Sequence, residues 1–152
     1  QQHGELSLPG GGHATVMEDY GHHPREIQAV LAALRGAWPE RRLVLAFQPH
    51  RFSRTRDLFD DFAQVLSEAD TLILLDVYPA GEKPIPGADG RSLSRAIRIR
   101  GKVEPVFIEH TADLPGILPD LLRDGDLLLM MGAGDIGAMA VQLGRDGLPG
   151  AC

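Results

Sequence analysis

Short, continuously apolar runs alternate with stretches of helical period along this chain, and this alternation constrains the fold more than any other feature. Residues 43–47 read Leu-Val-Leu-Ala-Phe, and 72–75 and 127–131 are apolar throughout in the same way. A strand without a polar face must be buried on both sides, as in a parallel sheet covered by helices. The sequence therefore predicts an α/β fold with crossover units and a mainly parallel sheet.

The other elements follow from similar patterns. Residues 14–18 are predicted as a first strand, entered from a Gly10-Gly11-Gly12 turn that suits a hairpin or a flexible hinge. Pro24 suits the first position of a helix over about 24–36. Further helices are expected near 57–69, 91–100, 114–123 and 135–144, with a strand near 105–108 and a Pro/Gly-rich loop over 78–90. The fold class is thus Rossmann-like α/β, a twisted sheet of about six strands with helices on both faces.

Size and composition narrow the function. A chain of 152 residues is expected to form a single domain over 1–152. A net charge of -6 argues against nucleic acid as a partner, and no apolar run approaches the roughly 20 residues that cross a membrane. The single cysteine, Cys152, cannot form an internal disulfide, so a cytoplasmic location is expected. The chain begins at Gln1 rather than at Met, which indicates a fragment of a longer protein.

Three polar loops are expected to share one rim of the sheet. Residues 19–24, 48–56 and 76–90 each follow a predicted strand, and open α/β sheets bind ligands at the carboxyl ends of their strands. Basic residues also concentrate here, because 35–56 holds six arginines and one acid within an acidic chain. A local site for an anion is therefore expected.

Arg51 and Arg54 are the candidates for that anion site. Two guanidinium groups three residues apart can bind one carboxylate or phosphate if the loop begins to turn there. The alternative is that they form ion pairs with acids of the following helix, such as Asp57 or Asp61.

The same loops carry histidines and an aspartate. His22 and His23 could bind a metal with His50, although adjacent residues seldom face one ion and no Cys, Asp or Glu spacing completes a zinc set. A histidine here could instead exchange hydrogen bonds with a substrate, or fix the loop before Pro24. Asp19 is the type of residue that accepts hydrogen bonds from ribose hydroxyls, or it holds its own turn.

A glycine-rich turn at 132–137, Gly-Ala-Gly-Asp-Ile-Gly, matches the G-x-G-x-x-G pattern of dinucleotide sites. Too few residues follow it for a second strand and the acid that would bind the ribose. The glycines are therefore expected to allow a tight turn and close packing, with an anion at the helix N-terminus as a minor alternative. No G-x-x-x-x-G-K-[ST] pattern occurs, so this chain is not expected to cradle a triphosphate by itself.

Four motifs in order resemble one family. The first is Asp-Tyr-Gly-His-His-Pro-Arg-Glu at 19–26, and the second is Phe-Gln-Pro-His-Arg-Phe-Ser-Arg-Thr-Arg-Asp-Leu-Phe-Asp-Asp-Phe at 47–62. The third is Val-Tyr-Pro-Ala-Gly-Glu with Pro-Ile-Pro-Gly-Ala-Asp-Gly-Arg-Ser-Leu at 77–93, and the fourth is the glycine-rich turn. Together they resemble the third domain of the Mur ligases, in the branch that adds L-alanine to UDP-N-acetylmuramate. The similarity spans about residues 5 to 145, with one departure at Glu18, where the family usually has a second Asp.

The resemblance implies an ATP-dependent ligase of peptidoglycan synthesis whose uridine-nucleotide and central ATPase domains lie outside this chain. ATP with Mg²⁺ would phosphorylate the muramyl carboxylate, and the amine of L-alanine would attack the resulting acyl phosphate. Its partners would be L-alanine, ATP and UDP-N-acetylmuramate, and the isolated domain would be inactive.

The resemblance also implies roles for individual residues. Asp19 would contact the ATP ribose, and no catalytic residue or metal ligand is implied in this domain. The residues that would bind L-alanine are Tyr20, His22, His50, Arg51 and Arg54. Two other functions stay open, namely a related ligase that reattaches a muropeptide, and a non-enzymatic α/β module whose histidines hold a metal.

Overall fold

The computed structural model describes residues 1–150, so Cys152 lies outside the described residues. Its sheet has six strands in the order β1-β2-β6-β3-β4-β5. All neighbouring strands are parallel except β1, which is antiparallel to β2. The strands are β1 (Gln2–Ser7), β2 (His13–Asp19), β3 (Leu43–Phe47), β4 (Thr71–Leu75), β5 (Val106–Ile108) and β6 (Leu127–Met131). The predicted mainly parallel α/β sheet is confirmed.

Helices cover both faces of this sheet, as predicted. They are α1 (Pro24–Ala37), α2 (Phe52–Asp57), α3 (Phe59–Leu66), α4 (Gly90–Arg100), α5 (Leu114–Leu121) and α6 (Ile136–Asp146), with a 3₁₀ turn at Thr111–Asp113 before α5. Among residues 1–150, no helix is both long and apolar enough to span a membrane.

The central strand β3 shows how the two faces are built. Leu43, Leu45 and Phe47 pack against α1, α3 and α4 on one side. Val44 and Ala46 pack against α5 and α6 on the other side. All five side chains are buried, because alternate residues of a strand point to opposite faces and a helix layer covers each face.

The N-terminal hairpin was predicted only in part. Residues 14–18 lie in a strand as expected, but β1 precedes it and pairs with it, so the glycine turn is a hairpin rather than a hinge. Gly11 and Gly12 adopt left-handed φ angles of 97° and 86° in that turn. Strand β1 was not predicted, because it is the outermost strand of the sheet and only Leu6 of its six residues is buried, so its sequence shows no apolar run.

The prediction of a loop over 48–56 is wrong in its second half, which is helical. Helix α2 begins at Phe52, and a break at Leu58 (φ −118°, ψ 25°) separates it from α3. The buried residues of α2 are Phe52 and Thr55, and the Thr55 hydroxyl donates to the carbonyl of Arg51 at 2.9 Å. The helix was not predicted because one of its two buried residues is a threonine between arginines, so its apolar residues show no helical period.

A buried ion pair joins the strands at the edge opposite the predicted rim. The Asp126 side chain is 2% exposed and accepts hydrogen bonds from Arg42 Nε at 3.0 Å and Nη2 at 2.7 Å. Arg42 also donates to the Thr71 hydroxyl at 3.1 Å and to the Leu121 carbonyl at 2.6 Å. The hydrogen bond to Asp126 raises the pKa of Arg42, so the guanidinium stays charged.

Replacing Asp126 is expected to destabilise the domain strongly. Asp126→Ala leaves a largely buried guanidinium without its carboxylate, which should lower the free energy of unfolding by about 3 kcal/mol. Urea unfolding followed by circular dichroism measures this loss. The control is Glu104→Ala, which removes an exposed pair with Arg98 (2.6 Å) and should cost less than about 1 kcal/mol. Equal losses in the two variants would contradict the role given to the buried pair.

Candidate functional site

Two of the predicted rim loops meet through a short extension of the sheet. Beyond the ends of β3 and β4, His50 and Tyr78 form an isolated parallel bridge. The backbone N–H of Arg51 donates to the carbonyl of Tyr78 at 2.8 Å, and the N–H of Tyr78 donates to the carbonyl of Pro49 at 2.8 Å. The backbones that follow β3 and β4 therefore lie side by side at the carboxyl edge.

A row of four rings joins the third loop to this bridge. The rings of His50 and Tyr78 are stacked, with centroids 5.6 Å apart and planes at 9°. His22 lies 5.8 Å from His50, and Tyr20 lies 6.3 Å from His22 in an edge-to-face arrangement. The structure thus brings together Tyr20, His22 and His50. Tyr78 was not predicted, although an aromatic residue just after a buried strand was a signal for it.

Arg54 is held against His50 by the first turn of α2. Its Nη1 donates to the His50 carbonyl at 2.9 Å and approaches His50 Nδ1 at 3.2 Å. Because a guanidinium can only donate, Nδ1 must accept, so the geometry favours a neutral ring with its proton on Nε2. Burial lowers the pKa of His50, and the positive charges of Arg54, His22 and Arg51 lower it further.

Arg51 has an unusual backbone and an exposed side chain. Its φ of 73° lies in the left-handed region, which costs a non-glycine residue about 1–2 kcal/mol. Within residues 1–150, neither Arg51 nor Arg54 forms a salt bridge with a carboxylate. The alternative of pairing with Asp57 or Asp61 is therefore wrong for these two arginines. Asp57 pairs instead with Arg56, at 2.9 Å.

Asp19 ends β2 at the same edge of the sheet. Its Oδ2 accepts the backbone N–H of Gly21 at 2.8 Å, so the carboxylate does hold its own turn. The side chain is half-exposed, and Oδ1 accepts no hydrogen bond from the described residues. That oxygen is available to a ribose hydroxyl, and the two interpretations of Asp19 are compatible.

His23 points away from the ring row. Its Nδ1 accepts the N–H of Arg25 at 3.2 Å and caps α1. Glu26 completes a capping box by accepting the backbone N–H groups of His22 and His23 at 3.1 and 3.0 Å. The bond from His22 first, and then that from His23, lowers the pKa of Glu26 against the opposing effect of its burial. His23 therefore fixes the loop before Pro24.

The metal-binding alternative requires His22, His23 and His50 to face one ion, and the helix cap turns His23 elsewhere. Among the described residues, no group of three or more His, Cys, Asp or Glu side chains could hold a metal ion.

The glycine-rich turn packs against the rim from the β6 side. A Cβ atom at Gly134 would lie 2.5 Å from Gln48 Oε1 and 2.7 Å from the Tyr78 ring, so only glycine fits there. Gln48, a buried residue that was not predicted, donates to Asp135 at 2.6 Å and accepts the N–H of Ile136 at 3.2 Å. The turn serves close packing, as expected.

These features define the class of the protein. A mainly parallel sheet with helices on both faces ends in a rim where two arginines without salt-bridge partners among the described residues lie beside a row of rings, and this architecture is that of a Rossmann-like α/β domain. The family model described as "Mur ligase, glutamate ligase domain" matches residues 7–134. The chain belongs to this Mur ligase family.

Particular relatives are similar over most of this chain. It is 63% identical over 148 residues to the UDP-N-acetylmuramate–L-alanine ligase of Xanthomonas campestris pv. campestris, a match that covers 97% of this chain and 31% of the relative. It is 66% identical over 137 residues to the enzyme of that name from Laribacter hongkongensis, covering 90% and 29%. The crystal structure of UDP-N-acetylmuramate–alanine ligase from Thermotoga maritima aligns with a TM-score of 0.69 and 25% identity, covering 87% and 26%. The chain spans about a third of the length of the relatives it matches.

The contact between Arg54 and His50 predicts a shift in titration. His50 should titrate below its ordinary pKa of about 6.5, and Arg54→Ala should move the midpoint part of the way back. Because the pKa is lower in the folded state, the neutral ring contributes stability above about pH 6.5, and this contribution is lost as pH falls through the folded pKa.

Imidazole NMR resonances followed against pH measure the midpoint. The matched control is Arg56→Ala, which removes a guanidinium from the same helix, but one that pairs with Asp57. An equal shift of His50 in both variants would contradict a specific contact with Arg54.

Proposed function

We propose that this chain is the amino-acid-binding domain of an ATP-dependent ligase that joins L-alanine to UDP-N-acetylmuramate in peptidoglycan synthesis. Membership of the Mur ligase family supports the class of reaction. Identities of 63% and 66% to ligases of this name support the substrate. Under this proposal residues 1–152 form the third of three domains, and the uridine-nucleotide and ATPase domains belong to the rest of the full-length enzyme.

The observation that carries the proposal is the pair Arg51 and Arg54 on the rim, without carboxylate partners among the described residues. Both lie near His50, because Arg54 donates to its carbonyl at 2.9 Å and Arg51 is the next residue in the chain. A guanidinium has five donors, so Arg54 keeps donors free after its contacts with His50. We infer that the carboxylate of L-alanine binds between the two guanidinium groups.

The ring row is proposed to form the wall beside the amino-acid side chain. Tyr20, His22 and His50 present ring edges and faces on the same side of the rim as the arginines. A neutral His50 with its proton on Nε2 offers one donor and adds no positive charge that would repel the ammonium group of the substrate.

The chemistry of bond formation is proposed to lie mostly outside this chain. ATP with Mg²⁺ supplies the phosphoryl group that activates the muramyl carboxylate. The part played here is orientation, because holding the alanine carboxylate aims the amine at the activated carbon. The open oxygen of Asp19 suits a ribose hydroxyl.

Loss of either arginine should disable the full-length enzyme at its amino-acid step. Arg51→Ala and Arg54→Ala are each expected to lower kcat/KM for L-alanine by about 100-fold, because a charge-assisted contact to the carboxylate is lost. Arg51→Lys keeps the charge without the two-pronged donor and should recover only part of the loss. Alanine-dependent ATP hydrolysis measures the effect, with Arg56→Ala as the control. Unchanged activity in Arg51→Ala would refute the carboxylate assignment.

Substrate competition separates the ligase reactions within the family. We expect L-alanine to support ATP hydrolysis, whereas L-alanyl-γ-D-glutamyl peptides should neither replace it nor compete well, because the most similar relatives compared above are L-alanine ligases. Preferred use of the peptides would instead indicate a ligase that reattaches muropeptides.

A further inference from the structure

Helix α2 begins without a cap from its own sequence. Arg51 occupies the N-cap position and makes no capping hydrogen bond through its side chain. The N–H of Ser53, one of the amides that a helix leaves without an internal partner, donates to Glu82 Oε1 at 3.0 Å. The Ser53 hydroxyl donates to the other carboxylate oxygen, Oε2. The cap of α2 is therefore supplied by a residue 29 positions further along the chain.

The loop after β4 has to bend sharply to deliver Glu82. Ala80 and Gly81 both adopt left-handed φ angles, 50° and 87°, and the N–H of Glu82 closes the turn onto the carbonyl of Pro79 at 3.0 Å. Among residues 1–150, Arg51 and Ala80 are the only non-glycine residues with positive φ. The two strained residues thus flank the same junction, between the start of α2 and the loop that caps it.

The charges at this junction favour the same contact. The hydrogen bonds from the Ser53 side chain and backbone lower the pKa of Glu82, and the positive charge of Arg51 adds to the effect. Glu82 therefore stays ionised and remains an acceptor. Each carboxylate oxygen accepts a hydrogen bond from Ser53, which ties Glu82 to the first turn of α2, the helix that follows Arg51 and carries Arg54.

We propose that Glu82 is a positioning residue, which caps α2 through Ser53 and so sets where Arg51 and Arg54 present their guanidinium groups. Arg51 immediately precedes the capped turn and Arg54 lies within it, so movement of that turn displaces both. This inference rests on the proposed function, in which these two arginines bind the L-alanine carboxylate.

Steady-state kinetics of the full-length enzyme test the inference. Glu82→Ala should raise KM for L-alanine about tenfold with little change in kcat, because the binding geometry is lost and the chemistry is not. Glu82→Gln keeps one acceptor oxygen and should recover most of the affinity. Glu109→Ala is the control, since Glu109 also has a carboxylate that accepts a hydrogen bond, but its donor is Arg91 of α4, at 2.7 Å, rather than a residue of α2.

A double mutant shows whether Glu82 acts through the arginine. In the Arg54→Ala background, Glu82→Ala should raise KM little further, because the group it positions is already absent. If the double mutant instead raises KM by the product of the two single-mutant factors, the positioning role is overturned. A merely structural role would lower the stability of the domain and leave KM of the folded enzyme unchanged, which would overturn it equally.

Amide hydrogen exchange in this chain provides a readout that does not depend on L-alanine. Glu82→Ala should speed exchange at the Ser53 amide at least about tenfold, while Phe62 in α3 keeps its protection. If wild-type enzyme shows no dependence on L-alanine, the proposed function fails, and faster exchange at Ser53 still supports the cap. Unchanged exchange at Ser53 overturns the inference about Glu82 whatever the substrate.

Discussion

The structure depends on burial of its central strands on both faces. Every side chain of β3 and β6 is buried, so helices must cover both sides and the strands must run parallel through crossovers. A parallel arrangement brings all carboxyl ends to one edge. Polar groups excluded from the strands therefore collect just beyond them, and the chain changes from Phe47, fully buried, to the exposed Arg51 within four residues.

Charged side chains have different roles at the amino ends and at the carboxyl ends of the parallel strands, which we call the amino edge and the carboxyl edge of the sheet. At the amino edge, Arg42 and Asp126 form a salt bridge with two hydrogen bonds, and this pair links the starts of β3 and β6. At the carboxyl edge, Arg51 and Arg54 form no salt bridge with a carboxylate of the described residues, and backbone strain at Arg51 and Ala80 costs about 1–3 kcal/mol for each residue. The two hydrogen bonds of the His50–Tyr78 bridge, 2.8 Å each, help to hold that strain in place. Under the proposed function, the charged groups at one edge hold strands together and those at the other bind a ligand.

The hydrophobic pattern of the sequence was sufficient to predict the strands that are buried on both faces. The strands at 43–47 and 127–131 have the predicted bounds, because no polar residue interrupts their runs. The elements that escaped, β1 and α2, each bury few apolar side chains. At the site, the arginine pair could be predicted from residue type and spacing. The cap that Glu82 provides for α2 could not be predicted. It depends on a left-handed φ angle at Ala80 and on a contact between residues 29 positions apart.

The openness of the rim explains why such a domain would work as one part of a larger enzyme. Tyr20 is 69% exposed and Arg51 is exposed, so water screens any carboxylate bound between the arginines in this chain alone. A second domain closing over the rim would expel that water and strengthen the same contacts without moving them. Under the proposed function, affinity for the amino acid then rises when the domains close. L-alanine would then be held most firmly when its amine faces the activated carboxylate.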